Sequence, residues 1–263
     1  LNEPTNAHSP RVAVAIPCYN EAAAIATVIT QWRAALPDAE MIVFDNNSSD
    51  GTGDIARGLG VRVVDVRDQG KGYAVQALFH HLQDRDAVVM IDGDGTYPAD
   101  EVGRLLGPIL DGTADMAVGA RIPVAEPGAM TPLRGLGNVL IRGAFRVLIG
   151  RGPGDLLSGY RVFGRRFLQS VSLRSEGFEI ETELASEAVA RQMRTVEVPV
   201  PYHPRIAGTA SKLKVFRDGW RILKTIVRQS LRLRPWRPLL IVILLGTLTA
   251  SIIILLSKGM ARH

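Results

Sequence analysis

Short apolar runs alternate with helical stretches along the first half of the chain. Val12, Val14 and Ile16 mark a strand over Arg11–Ile16 that ends at Pro17. Glu21–Leu36 predicts an Ala-rich helix stopped by Pro37, followed by strands at Met41–Phe44 and Val61–Val66 with a turn-rich loop, Asn46–Gly53, between them. Gly72–Leu82 predicts a helix, Ala87–Ile91 a fully apolar fourth strand, Pro98–Leu110 a helix with proline in its first turn, and Met116–Gly119 a fifth strand. This alternation implies βαβ units and a mostly parallel, Rossmann-like sheet flanked by helices. An unbroken apolar run such as Val88–Ile91 fits a strand buried on both faces.

The second half is less regular. Helices are expected at Thr131–Ile149 and, with amphipathic character, at Phe178–Arg191. Strands are expected at Tyr160–Phe163 and at Thr195–Val200, the latter ended by Pro199 and Pro201. Ala207–Ser211 reads as a loop. Lys212–Leu233 reads as a basic helix with an apolar side built from residues such as Trp220, Ile222, Leu223, Ile226 and Val227.

Charge changes the picture mainly at the C-terminal end. The net charge is +5, but Arg205–Arg237 holds ten Lys/Arg against one acid, Asp218. Leu239–Ser257 then runs nineteen residues without a charge, just enough to cross a hydrocarbon core of ~30 Å. The pattern predicts a lead-in at 1–10, an α/β domain at 11–211, a juxtamembrane helix at 212–236 lying in the bilayer interface, a membrane span at 237–258 and a tail at 259–263. The basic block predicts that the side preceding the span faces the cytoplasm, so the expected location is the cell membrane, single-pass. Residues 1–10 show no signal-peptide pattern. Cys18 is the only cysteine, which excludes an internal disulfide and a Cys-rich zinc site. The five histidines show no ligand spacing, and His80 and His81 read as helix-surface residues.

In parallel α/β sheets ligands sit beyond the carboxyl ends of the strands, and here those ends carry unusual polar residues. Asp92-Gly93-Asp94 follows the fourth strand. Two carboxylates so close are unfavourable unless a cation joins them, and a hard divalent ion bridging diphosphate oxygens would do so; an ordinary acidic turn is the alternative. Asp45–Thr52 reads either as a pocket for base and ribose or as a turn with Ser49 or Asp50 as helix cap. Gly51-Thr52-Gly53-Asp54-Ile55-Ala56 matches a dinucleotide fingerprint, but it follows the second strand and lies six polar residues beyond its end, so a nicotinamide enzyme is not indicated. Lys71, between two glycines at a helix start, could meet phosphates or simply be solvated. Arg121, Arg134, Arg205 and Lys212 read either as surface cations or as binders of an anionic acceptor at the bilayer.

Taken in order, Ile16-Pro17-Cys18-Tyr19-Asn20-Glu21, Asp45–Thr52, Gly70-Lys71-Gly72-Tyr73-Ala74, Asp92-Gly93-Asp94, Ser158-Gly159-Tyr160-Arg161, Phe178-Glu179-Ile180-Glu181 and Arg205–Lys212 resemble family 2 glycosyltransferases of the GT-A fold. More narrowly they resemble the polyprenol- or dolichol-phosphate sugar synthases. The resemblance implies that Pro17, Tyr19, Glu21, Asp45, Lys71 and Asp92 bind a nucleotide-sugar donor, and that Asp92 and Asp94 hold Mg²⁺ or Mn²⁺. It implies that Arg121, Arg134, Arg205 and Lys212 bind the polyprenyl phosphate acceptor and the leaving diphosphate, with Asp92, Asp94, Arg121 and Arg134 carrying catalysis. The expected reaction inverts the anomeric centre, and Ala207–Ser211 would close over the donor. Glu179 and Glu181 occupy the region where relatives acting on hydroxyls keep a base. Two positions depart from the pattern: Asn46 replaces a second acid of many relatives, and Thr96 stands where dolichol-phosphate mannose synthases often keep Gln, which disfavours GDP-mannose. A transferase acting on a lipid hydroxyl and an inert membrane scaffold are the competing readings. No nucleic-acid partner is expected; a homo-oligomer is compatible with the sequence.

Overall fold

The computed structural model describes residues 9–123, 132–209, 212 and 215–240, with the side chains of 123, 132–136, 215 and 216 excepted. Seven strands form one sheet: β1 (Val12–Cys18), β2 (Glu40–Asp45), β3 (Arg62–Asp65), β4 (Ala87–Met90), β5 (Met116–Pro123), β6 (Arg161–Gly164) and β7 (Thr195–Tyr202), in the order β3-β2-β1-β4-β6-β5-β7. All pairings are parallel except those of β6, which runs antiparallel to β4 and β5. The sheet is therefore mostly parallel, as its sequence pattern predicts, with one reversed strand in its middle.

That reversed strand decides where the loops meet. Cys18 pairs with Asp45 and Asp45 with Asp65, so the carboxyl ends of β1, β2 and β3 share one rim with the end of β4. Because β6 is antiparallel, its first residue, Arg161, pairs with Met90 at the last position of β4. The amino-terminal approach to β6, Ser158–Tyr160, is thereby delivered to the same rim as Asp92.

Helices cover both faces. Strand residues alternate between them, as a period of two requires. Val14, Ile16, Val43, Val89 and Val162 face one cluster, which contains Ile25, Val28 and Trp32 of α1 (Ala22–Ala35), Ala56 of α2 (Thr52–Gly58) and Leu105 and Ile109 of α4 (Val102–Leu110). Ala13, Ala15, Phe44, Val88, Met90 and Phe163 face the other, made by α3 (Lys71–His81), α6 (Arg165–Ser170) and α7 (Ile180–Ala190). A third cluster joins α5 (Pro132–Leu148), α7 and α8 (Val215–Leu233) through Ile141, Phe145, Ala185, Ile222 and Ile226.

Four expectations from the sequence are corrected. Phe178–Arg191 is expected to be amphipathic, yet Ile180 through Ala188 of α7 are all buried, because α8 covers the face that would otherwise meet water. The strand expected to end at Val200, between Pro199 and Pro201, continues to Tyr202. β7 pairs only with β5, and on an edge strand proline's missing N–H costs no ladder bond. The helix expected from Pro98 begins at Val102. The short helix α6 was not expected, since six residues give too little periodicity. His80 and His81 are exposed, as expected.

From residue 241 onward the expected span lies outside the described residues; among those described, no helix is long and apolar enough to cross a membrane. The expected apolar side of α8 divides in two: Ile222 and Ile226 turn into the core, whereas Trp220, Leu223, Val227 and Leu231 remain exposed. Val139, Leu140 and Val147 of α5 are exposed as well.

Trp32 is 1% exposed and meets Tyr160 edge-on with ring centroids 5.4 Å apart, so it ties α1 to the approach to β6. Trp32→Ala is expected to lower the unfolding free energy by about 3–5 kcal/mol, read as a shifted midpoint in urea at unchanged slope.

Candidate active site

The two loops that follow β1 and β2 are stitched to each other. Asn20 and Asn47 take left-handed conformations, with φ of 52° and 60°, which asparagine tolerates better than most residues. Asn20 N–H donates to Ser48 Oγ at 2.9 Å and Ser49 N–H returns a bond to Asn20 Oδ1 at 2.9 Å. Asp50 accepts from Ala22 N–H at 3.0 Å, so it satisfies a free donor at the start of α1 as well as Thr52 N–H at the start of α2. The cap position of α2 is Gly51 rather than the expected Ser49 or Asp50, and Asp50 serves the first N–H of both helices from outside them.

Asn46 stitches the next loop. Its amide donates to Asp68 O at 2.6 Å and its Oδ1 accepts from Gly70 N–H at 2.6 Å. The position needs a donor and an acceptor on one side chain. An ionised aspartate offers only acceptors, which gives a structural reason for asparagine here.

Lys71 opens α3 and is pressed into place by the segment before α7. Gly72 N–H donates to Glu176 O at 2.9 Å and Gln76 to Ser175 O at 2.9 Å. A Cβ at Gly72 would collide with the Ser175 carbonyl, so only glycine lets the two backbones lie this close. The segment is held in turn by Glu183, whose Oε2 accepts from the N–H groups of Arg174 and Ser175 at 3.0 and 2.7 Å.

These elements enclose a cleft of about 920 Å³ at the carboxyl rim. Pro17, Tyr19, Glu21, Lys71, Asp92, Asp94, Arg121, Arg205 and Lys212, all named from the sequence, line it. Asp45 does not. It lines an adjoining pocket of about 390 Å³ with Asn47, Ser48, Arg57 and Arg67. The side chain of Arg134 falls outside the described residues. So do residues 210 and 211 of the expected closing loop.

Inside the cleft each carboxylate has a cation. Lys71 Nζ lies 2.6 Å from Asp92 Oδ1 and 2.5 Å from Glu181 Oε1. Arg205 reaches Asp94 Oδ2 at 2.5 Å, and Lys212 reaches Glu21 Oε1 at 2.7 Å. Asp94 Oδ1 also accepts from Thr96 N–H and Oγ1–H, at 3.1 and 2.7 Å. A Cβ at Gly159 would run into the Asp92 carboxylate, so the Ser158-Gly159 turn fits against Asp92 only as glycine. Arg161, fully buried, anchors that turn by donating to Ser158 O and Leu156 O at 3.0 and 2.7 Å.

Burial and charge divide the two aspartates. Burial raises the Asp94 carboxyl above the usual range and the charge of Asp92 adds to this, outweighing Arg205. Asp92 is also penalised by burial, but Lys71 outweighs the penalty and holds it below that range. Lys71, despite the opposing cost of burial, is held well above the usual lysine value by Asp92 and Glu181. Burial pushes Glu21 up, opposed by Lys212, and its Oε2 has no hydrogen-bond partner among the described residues. The rim therefore concentrates carboxylate oxygens and cationic side chains in one partly desolvated space, an arrangement that suits a phosphate-bearing ligand with a divalent ion.

Two contributors were not legible. Asp155 grips Arg121 with two parallel bonds, Nε–Oδ2 and Nη2–Oδ1, both 2.7 Å, while the guanidinium stacks on Tyr202 at 5.4 Å. Glu181 is named in the sequence as a possible base, but its link to Lys71, 110 positions away, has no local signal.

A mostly parallel α/β sheet with one reversed strand, and paired aspartates among cations at its carboxyl rim, defines the GT-A class of sugar transferases. The chain belongs to Glycosyl transferase family 2, whose family model matches residues 13–166, and it is a glycosyltransferase. It is 40% identical over 220 residues to Glycosyltransferase AglJ of Haloferax volcanii, covering 83% of this chain and 72% of that one. It is 33% identical over 223 residues to the Dolichyl-phosphate hexose transferase of the same organism, covering 85% and 95%. In fold it is similar to glucosyl-3-phosphoglycerate synthase of Mycobacterium tuberculosis, solved with Mn²⁺ and UDP-glucose, at a TM-score of 0.64 and 23% identity, over 85% of this chain and 78% of that one.

Asp155→Asn is expected to destabilise the protein by about 1–3 kcal/mol at neutral pH, since it removes the countercharge of a partly buried arginine. Burial raises the Asp155 carboxyl, but Arg121 outweighs it and the net shift is downward. A depressed folded-state value gives stability that is present above the unfolded value and lost as pH falls through the folded one. The difference between wild type and variant should therefore shrink below roughly pH 4, measured by urea unfolding at stepped pH.

Proposed function

We propose that this glycosyltransferase moves a sugar from a UDP- or GDP-sugar to a polyprenyl phosphate at the cytoplasmic face of the cell membrane, inverting the anomeric centre. The observation that carries the proposal is the composition of one cleft. Asp92, Asp94, Lys71, Arg121 and Arg205 line it together with the exposed leucines Leu140 of α5 and Leu223 of α8. A ligand with a charged head and an apolar tail matches both kinds of lining. The similarity to a protein named Dolichyl-phosphate hexose transferase supports the same acceptor class.

Among the described residues no three His, Cys, Asp or Glu form a self-contained cage. The fit is instead to an ion shared with substrate: Asp92 and Asp94 supply two hard oxygen ligands and the donor diphosphate supplies others, the usual arrangement for Mg²⁺ or Mn²⁺ on a nucleotide. That ion, when bound, would neutralise charge on the departing diphosphate. Glu21, whose Oε2 has no hydrogen-bond partner among the described residues, and Tyr19 would orient the nucleotide. Asp45 would act from its adjoining pocket.

Arg121, fixed by Asp155 and Tyr202, would hold the acceptor phosphate, with Arg134 as a second candidate. A phosphate oxygen forms the bond to the anomeric carbon as the bond from that carbon to the diphosphate oxygen breaks, and the nucleoside diphosphate leaves. The attacking oxygen is already anionic, so no residue need remove a proton. Arg205 and Lys212 sit on the segment over the cleft and would follow the charge onto the leaving group. Bilayer contact would come from Trp220 and Leu231 among the arginines of α8, from Trp236 just after it, and from the apolar stretch after residue 238 as an anchor.

Purified protein with Mn²⁺, undecaprenyl phosphate and a panel of UDP- and GDP-sugars is expected to give a lipid-linked sugar. Asp94→Asn should reduce the rate by at least about a hundredfold. No product from any donor would refute the acceptor class. Arg121→Ala with full activity would favour a hydroxyl acceptor instead. In flotation assays the protein should bind vesicles containing anionic lipid, and Trp220→Ser with Leu231→Ser should reduce the bound fraction; equal binding by both would count against α8 as the contact surface.

A further inference from the structure

Glu181 is the buried residue that the proposed chemistry does not use. Its side chain is 4% exposed, it starts α7, and it lines the cleft. It is poorly placed to act as a base. Its Oε1 is already 2.5 Å from the ammonium of Lys71, and the acceptor proposed above brings no proton to remove. Lys71 is at the same time 2.6 Å from Asp92. One ammonium therefore bridges two carboxylates, and one of these carboxylates is a ligand of the proposed divalent ion.

The charge arithmetic of this triad matters. Asp92 and Lys71 alone sum to zero, and a neutral pair gives a divalent ion little reason to enter. With Glu181 the triad sums to one negative charge. Lys71 also gains a second partner, so it can give up Asp92 without being stranded in a buried site, where an unpaired charge would be costly. The surrounding structure fixes this arrangement. The segment before α7 is bonded to Gly72 and Gln76 of α3, so Lys71 and Glu181 are held on opposing elements whose spacing is set by backbone hydrogen bonds.

We infer that Glu181 is a positioning residue: it shares Lys71 with Asp92, so that Lys71 can stay on Glu181 when Asp92 turns to the divalent ion that accompanies the nucleotide. The inference rests on the reading of Asp92 and Asp94 as ligands of that ion. It predicts opposite signs for two substitutions in one triad. Glu181→Gln keeps the shape but leaves Lys71 to neutralise Asp92, so Mn²⁺ affinity falls. Lys71→Met removes the competitor, so Mn²⁺ affinity rises even as turnover falls. A merely structural glutamate would weaken binding in both cases or in neither.

The test measures ion binding without turnover. Free Mn²⁺ is followed by electron paramagnetic resonance as it is titrated into the full chain, with UDP in one arm and GDP in the other and no acceptor lipid. Glu181→Gln should raise the Mn²⁺ Kd by about tenfold, Lys71→Met should lower it by about tenfold, and the double variant should return to within about threefold of wild type. Unchanged affinity in Glu181→Gln, or weaker binding in Lys71→Met, would overturn the inference. The Lys71→Met arm decides it alone should Glu181→Gln fail to fold. If wild type itself binds no Mn²⁺ with either nucleotide, the ion site at Asp92 and Asp94 is what fails.

Discussion

The structure depends on holding four carboxylates at one sheet rim, three of them buried and Asp92 partly so, without leaving any of them uncompensated. Asp92, Asp94, Glu181 and Glu21 crowd a single cleft, and each has a cationic side chain within 2.7 Å. Lys71, Arg205 and Lys212 come from the start of α3 and from the segment after β7, so the pairing also joins distant parts of the chain. An unpaired charge there would cost several kcal/mol. Proteins accept such an arrangement where a ligand uses it, and a phosphate-bearing ligand with its cation would exchange partners with every group in the set.

Much of the remaining structure holds that cluster in shape. Asn46 fixes the loop leading to Lys71, Glu183 fixes the segment that carries Glu181, Asp155 fixes Arg121, and Arg161 fixes the glycine turn beside Asp92. These supports lie on different elements, and each spends most of its hydrogen-bonding capacity on one backbone loop or one charged partner. Catalytic geometry is better kept by locked supporting residues than by the site residues alone. The outer helices α5 and α8 then close the cleft on its apolar side, and α8 reaches back to α7 through Arg232 to Glu187 and Gln229 to Glu183.

Glu181 and Arg121 show how the sequence and the fold share the explanation. Glu181 stands in a motif that resembles the family, Arg121 follows the fifth strand, and both line the cleft. Neither has its partner nearby in sequence: Lys71 lies on another helix and Asp155 in the approach to β6. The helix α7 is a further case. Glu181, Glu183 and Glu187 stand on a helix expected to be amphipathic, yet all three are buried, with Gln229 and Arg232 of α8 and Lys71 of α3 as their partners.

The sequence by itself determined the parallel strands, the helices between them and the polar residues at the strand ends, because two-residue and near-four-residue periodicities and Gly/Pro punctuation are local properties. From these it follows that Asp92, Asp94, Glu21 and Lys71 share a rim. Only the tertiary structure decided that β6 inserts in reverse beside β4, that Asp45 faces a neighbouring pocket, and that Lys71 bridges Asp92 to Glu181. Strand order and charge pairing are settled by which distant segments pack together, and no local pattern records that choice.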